Sequence, residues 1–175
     1  MPHHKLQFPM PANSAVVFDA FHFHAWRCRW DTLVSETAVV GGAPCPYKGA
    51  ITENTGGRWM KALSMRTQFV SFDRPALAAA SMVGTSFPFV RWAASMRHVD
   101  VSEDSSVLIY TYSFQVGPRW IKWLLTPIVD ALFLRQTKRR FHCLQQFLPD
   151  HKIRIAAWQR DQQMGPQASH TGSAA

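Results

Sequence analysis

PRWIKWLLTPIVDALFLRQTKRRFHCLQQFLP, residues 118–149, decides the fold. Leu134, Thr137, Phe141, Leu144 and Leu148 recur three and four apart, the spacing of one buried helical stripe. Extended backwards, the stripe takes in Asp130, Trp123 and Trp120. Pro127 interrupts it, and a proline is harmless only in the first helical turn. Thr126 is a suitable N-cap. The stretch therefore predicts a short aromatic helical turn over 118–125 and a main helix over 127–148. From Trp120 to Leu134 it is apolar nearly all round, so this part is covered on both sides, lines a cavity or touches a membrane.

Upstream of residue 118 the period changes. Lys5–Met10 alternates as a strand, closed by Pro11. Asn13 or Ser14 can cap a helix through Ala15, Val17, Phe18 and Phe21. In the next short helix, HAWRCRWDTLV, Trp26 and Trp30 share a face and read as core. Period two then persists through Glu36–Val40, Lys48–Asn54, Arg58–Phe72, Leu77–Gly84, Phe89–Val101 and Val107–Val116. Short polar turns such as Asn54–Gly57, Asp73–Pro75 and Ser102–Ser105 separate these runs. They imply antiparallel neighbours, and a long helix after such a meander packs across its concave face. The expected fold is α+β: a curved antiparallel sheet of about seven strands wrapped on a long C-terminal helix, with two short helices after the first strand. Residues 1–157 form one domain, and 158–175, ending in DQQMGPQASHTGSAA, are expected to be a disordered tail.

With 175 residues, 47% of them hydrophobic, the chain can build one sizeable core. Its formal charge of +8 favours anionic partners. Three scattered cysteines without a CxxC spacing argue against a disulfide framework or a structural zinc site and fit a reducing compartment. MPHHKLQFPMPANS lacks the apolar core of a signal peptide. The apolar window 120–134 is too short to span a bilayer and carries Lys122 and Asp130. A soluble, cytoplasmic protein is expected.

Three stretches resemble a known superfamily. VFDAFHFHAWRCRWDTLV (17–34) is similar to its helical segment before the second strand, and GGRWMKALSMRTQFVSFDRPALAA (56–79) to its strand closing on a proline turn. YTYSFQVGPRWIKWLLTPIV (110–129) with RRFHCLQQFL (139–148) is similar to its last strand and C-terminal helix. Residues 5–150 thus resemble the START-like helix-grip superfamily, also called SRPBCC or the polyketide cyclase/dehydrase and lipid-transport group. The resemblance implies a cavity between sheet and helix. It fixes no catalytic set, because carriers, cyclases, hydrolase-like enzymes and regulators share the fold.

Alternation assigns the faces. Leu108, Tyr110, Tyr112 and Phe114 point inward, as do Val90, Trp92, Ala94, Met96 and His98, and Leu63, Met65, Thr67 and Phe69. The ligand-binding candidates are Thr67, Trp92, Met96, His98, Tyr110, Tyr112, Trp123 and Asp130. His98 and Asp130 are also the catalytic candidates, since a His–Asp pair in one cavity could act as acid and base in an aldol-type cyclisation or a dehydration. The plainer alternatives stay open: Asp130 as a helix-dipole partner and His98 as a structural histidine. His22, His24 and Cys28 lack a carboxylate to complete a metal site, so no metal and no cofactor is expected. Cys28 and Cys143 read as buried or half-buried thiols. Gly41-Gly42 and Gly56-Gly57 are turns, and no nucleophile elbow is present.

Arg119, Lys122, Lys138, Arg139 and Arg140 lie beside Trp120 and Trp123, the composition of a membrane-interface contact. A solvated helix face is the plainer and preferred reading of the same charges, and nucleic acid is not the expected partner. The sequence points to a binder or carrier of a hydrophobic or amphipathic molecule, a lipid, polyketide or quinone-like compound. The alternatives are a cyclase/dehydratase in the same cavity and a membrane- or protein-docking module without ligand. The oligomeric state stays open.

Overall fold

Along the last strand, exposure alternates residue by residue, with Leu108, Tyr110, Tyr112, Phe114 and Val116 all at 4% or less. That regularity is the pleat placing one side chain in two against the core. The computed structural model describes residues 1–31, 34–56 and 64–163. In these the elements run β1 (His3–Met10), α1 (Ser14–His22), α2 (His24–Arg27), β2 (Val34–Val39), β3 (Ile51–Gly56), β4 (Ser64–Asp73), β5 (Leu77–Met82), β6 (Phe89–Ser102), β7 (Ser105–Val116) and α3 (Lys122–Gln163). The strands form one curved, open antiparallel sheet ordered β1-β7-β6-β5-β4-β3-β2, seven strands among the described residues. The chain's first strand thus pairs with its last, His3 opposite Ser113 and Met10 opposite Ser106. Leu63, Gly57 and residues 164–175 lie outside the described residues.

Asn13 caps α1, its side-chain oxygen accepting from the Val16 amide. Trp26 and Trp30 are buried, and the Trp30 indole donates to the Ala20 carbonyl at 2.9 Å. Both join the main core with α3, where Phe141, Leu144, Leu148 and Ile155 are fully buried. Phe21, Phe8 and Tyr110 surround the Phe141 ring at 4.6–6.0 Å. A second cluster of Phe18, Phe69 and Ala78, with Phe72 packed on it, lies at the α1–β4–β5 contact.

Several expectations change, among them the turn at Asn54–Gly57, whose residues Asn54–Gly56 belong to β3. α3 is one helix from Lys122 to Gln163, with Pro127 and Pro149 inside it. The Thr126 hydroxyl donates to the Lys122 carbonyl at 2.6 Å instead of capping a new start. The helix therefore passes residue 157: Trp158 packs edge-on against Phe23 at 4.5 Å, and Gln159 is buried. The expected tail takes in six residues of this helix, 158–163.

The inner stripe also changes phase. Before Thr137 it continues through Phe133, Val129 and Leu125, which pack on the core, whereas Trp120 and Trp123 are each 77% exposed. Both phases fit a 3.6-residue period over one turn, and they diverge over three.

Val90, expected inward, is 41% exposed. A bulge between Phe89 and Arg91 slips the β6–β7 register, so Phe89 points inward and packs on Phe114 and Phe133. Finally, Cys28 is exposed, whereas Cys143 is half-buried as expected.

Candidate functional site

Small residues on β5 and β6 face large ones on α1 and α3, and the space left between them is a cavity of about 470 Å³. Ala78, Ala80 and Ala94 form one wall, with Met65, Phe69, Trp92 and Met96 beside them. Phe21 from α1 and Val129, Leu132 and Phe133 from α3 close the opposite side. Phe87 and Leu132 belong to this lining and are also 67% and 51% exposed, so they mark the mouth. An apolar chamber with a few placed polar groups is the usual form of a small-molecule site.

The polar groups fall into two sets. On β3 and β4, the hydroxyls of Thr52 and Thr67 share a hydrogen bond of 2.8 Å. Asn54 donates to both at 3.4 Å and accepts from Thr37 at 2.8 Å. The second set comes from the helices. Arg27 and Arg140 both line the cavity and both donate to Oδ2 of Asp31, at 2.9 Å and 2.6 Å. Their guanidinium carbons lie 4.9 and 4.6 Å from the centre of the Phe21 ring, within cation–π range. Burial lowers the Arg27 pKa to about 10, helped by the neighbouring Arg140 charge, so it stays cationic at neutral pH. Burial opposes ionisation of Asp31, but the two guanidiniums outweigh it and hold the carboxyl below its ordinary range. Tyr110 lines the cavity within reach of these charges, and burial pushes its pKa up to about 12, so it is a hydroxyl donor. His22 donates Nδ1–H to the Phe18 carbonyl at 2.9 Å, and burial holds it neutral, with its pKa well below the ordinary value.

Of the residues expected at the site, Thr67, Trp92, Met96 and Tyr110 line the cavity. Tyr112 is buried behind them, stacked on His4 at 5.1 Å. Trp123 points to the exterior. His98 and Asp130 are not brought together. Asp130 accepts from His4 Nε2 at 2.7 Å, whereas His98 lies edge-on to Phe18 at 5.4 Å. Neither His98 nitrogen has a hydrogen-bond partner among the described residues, and burial lowers its pKa to about 4.

Arg140 is corrected as well. Expected at an anionic surface, its side chain is only 10% exposed and is paired with Asp31. Lys138 and Arg139 are exposed as expected, and so is Arg119, while Lys122 is half-buried. Reasoning from the sequence missed Arg27, Thr52, Asn54 and Gln136 in the lining. A signal for the first was present: Arg27 and Asp31 are four apart, as are Trp26 and Trp30 flanking them.

Among the described residues no helix is long and apolar enough to cross a membrane. No family model and no curated protein matches the sequence. Solved structures do match in shape. A conserved protein from Geobacillus kaustophilus superposes with a TM-score of 0.68 at 10% identity, over 86% of this chain and 97% of that one. A protein from Thermus thermophilus gives 0.64 at 13% identity, over 90% and 99%. Norcoclaurine synthase from Thalictrum flavum, in complex with dopamine and hydroxybenzaldehyde, gives 0.59 at 13% identity, over 86% and 87%. With the sheet order and the long terminal helix, these likenesses show that the chain has a helix-grip fold.

Proposed function

We propose that the protein binds or carries a hydrophobic or amphipathic small molecule in the cavity between its sheet and α3. The observation that carries this reading is the apolar chamber of about 470 Å³. It is roomy enough for a bicyclic or short lipid-like compound and is supplied with a few polar groups at two places. A similarly folded structure, norcoclaurine synthase, holds two small aromatic molecules. Carriage is preferred to cyclase or dehydratase chemistry because Asp130 is engaged by His4 and His98 packs on Phe18, so the expected acid–base pair is not assembled. Binding in the cytoplasm belongs to the same reading. Native mass spectrometry of protein purified from the cells that make it tests the proposal. A retained adduct of a few hundred daltons is expected. Adduct-free protein that also fails to take up N-phenyl-1-naphthylamine would overturn it.

A second reading adds to the first. Leu124, Ile128 and Leu132 form an exposed stripe along α3 that ends at the cavity mouth. Exposed Trp120 and Trp123 lie beside Arg119 and Lys122 at its start. Such a surface fits transient contact with an anionic membrane, from which an apolar ligand is collected.

A further inference from the structure

We infer that the cavity selects a ligand carrying a carboxylate, received by Arg27, Arg140 and Tyr110. The inference rests on reading the cavity as a ligand site. Arg27 and Arg140 reach the chamber from different helices, α2 and α3, and the pair is buried: Arg27 is 9% exposed and the Arg140 side chain 10%. Arg27 uses only Nε on Asp31, and Arg140 uses Nε and one terminal nitrogen. Both terminal nitrogens of Arg27 and the second one of Arg140 have no hydrogen-bond partner among the described residues. The Tyr110 hydroxyl has none either and lies in the same lining. None of these donors is among the fully enclosed side-chain atoms that lack a partner, so they are open to the chamber, where an arriving anion would satisfy them.

Arg27, Asp31 and Arg140 together carry two positive charges and one negative. An anionic group arriving from the cavity would balance that excess. The planar fork of a guanidinium matches a carboxylate with two parallel hydrogen bonds. The remaining lining beside the arginines, Phe21, Phe133 and Met96, is apolar and suits a hydrocarbon or aromatic body attached to that head. The Thr52–Asn54–Thr67 set, by contrast, satisfies itself internally.

Isothermal titration calorimetry with 2-naphthoate and methyl 2-naphthoate tests this directly, because the pair differs only at the head group. The wild type is expected to bind naphthoate at least ten-fold more tightly than the ester, and the preference is expected to persist at 0.5 M salt because the charges are enclosed. In Arg140→Met the preference is expected to collapse while the ester binds as before. A crystal structure of the wild-type naphthoate complex, with the carboxylate within hydrogen-bond distance of Arg27 or Arg140, serves if that variant fails to fold. Equal or tighter binding of the ester overturns the carboxylate inference and leaves the apolar-ligand reading standing. A preference unchanged in Arg140→Met, or a carboxylate lying away from both arginines, also overturns it. Binding of neither probe removes the cavity reading and this inference with it.

Discussion

The Gln159 side chain, close to the end of α3, donates to the Asp19 carboxylate in the middle of α1 at 2.5 Å, across 140 residues of sequence. The same amide nitrogen also reaches the Ala15 carbonyl at 3.0 Å. Asp19 is fully buried, and Arg74 is its other partner. Burial raises the Asp19 pKa, against the pull of these two hydrogen bonds and the Arg74 charge. Gln159→Ala leaves a buried carboxylate short of a donor and is expected to cost about 1–3 kcal/mol. Chains ending at 157 also lose the Trp158 contacts with Phe23 and Trp26 and should be less stable still. Urea midpoints of the two forms check this, and a truncated chain as stable as the full one would show that the last helical turns are dispensable.

Trp92 stands in the cavity wall opposite Phe114 on β7. Trp92→Ala is expected to weaken uptake of the uncharged dye N-phenyl-1-naphthylamine and to cost about 3–5 kcal/mol of stability. Fluorescence titration and thermal melts on one sample read both. No change in either would mean that the indole faces away from the chamber.

Acid should destabilise the protein through His98. Its unfolded-state pKa is near 6.5 and burial lowers the folded value to about 4, so the unfolded chain binds the proton first. This stability is therefore present above pH 6.5 and lost as the pH falls toward 4. Between pH 7 and 5 the loss is about 2 kcal/mol by linkage. His98→Leu should flatten this part of the profile, leaving the contribution of His22, which has the same sign. Urea midpoints at both pH values measure it, and equal pH slopes in variant and wild type would refute the assignment.

Arg119 and Lys122 each directly precede one of the two exposed tryptophans, whereas Lys138 and Arg139 lie farther along α3. With each basic residue contributing about 1 kcal/mol at an anionic surface, Arg119→Gln with Lys122→Gln is expected to reduce vesicle binding roughly 30-fold. The Lys138→Gln, Arg139→Gln pair should do less, and Trp120→Ser with Trp123→Ser should weaken binding at any salt. Cosedimentation with anionic and neutral vesicles at two salt concentrations reports on all three. Wild type that stays in solution with anionic vesicles at low salt would end the membrane reading.

The sheet was legible because its strands alternate cleanly and its turns are short and polar. The inward set of β7 and the α3 stripe from Thr137 to Leu148 follow from periodicity alone. Val90 misled because a bulge is a local change in backbone count that leaves no mark on the apolar pattern. Trp120 and Trp123 misled because large apolar side chains are assigned inward when helical phase alone does not decide. Arg140 was read with the charges beside it in sequence. Yet it lies three residues after Thr137 and four before Leu144, so helical spacing already placed it on the buried face. The partner that makes such a position tolerable, Asp31, is 109 residues away, and no local pattern announces it. The same holds for Asp130, whose partner His4 sits on a strand at the other end of the chain.

The pairing of β1 with β7 has a consequence for synthesis. Among the described residues, the strand-pairing partners of residues 3–10 are residues 106–113. At about 5–20 residues per second, the nascent chain carries an unpaired strand edge for about 5–20 s before β7 is made. During that interval Leu6, Phe8 and Met10 have neither β7 nor α3 to cover them, and the newborn protein depends on the polar residues interleaved with them, Lys5 and Gln7, and on Pro9 to discourage pairing with another chain.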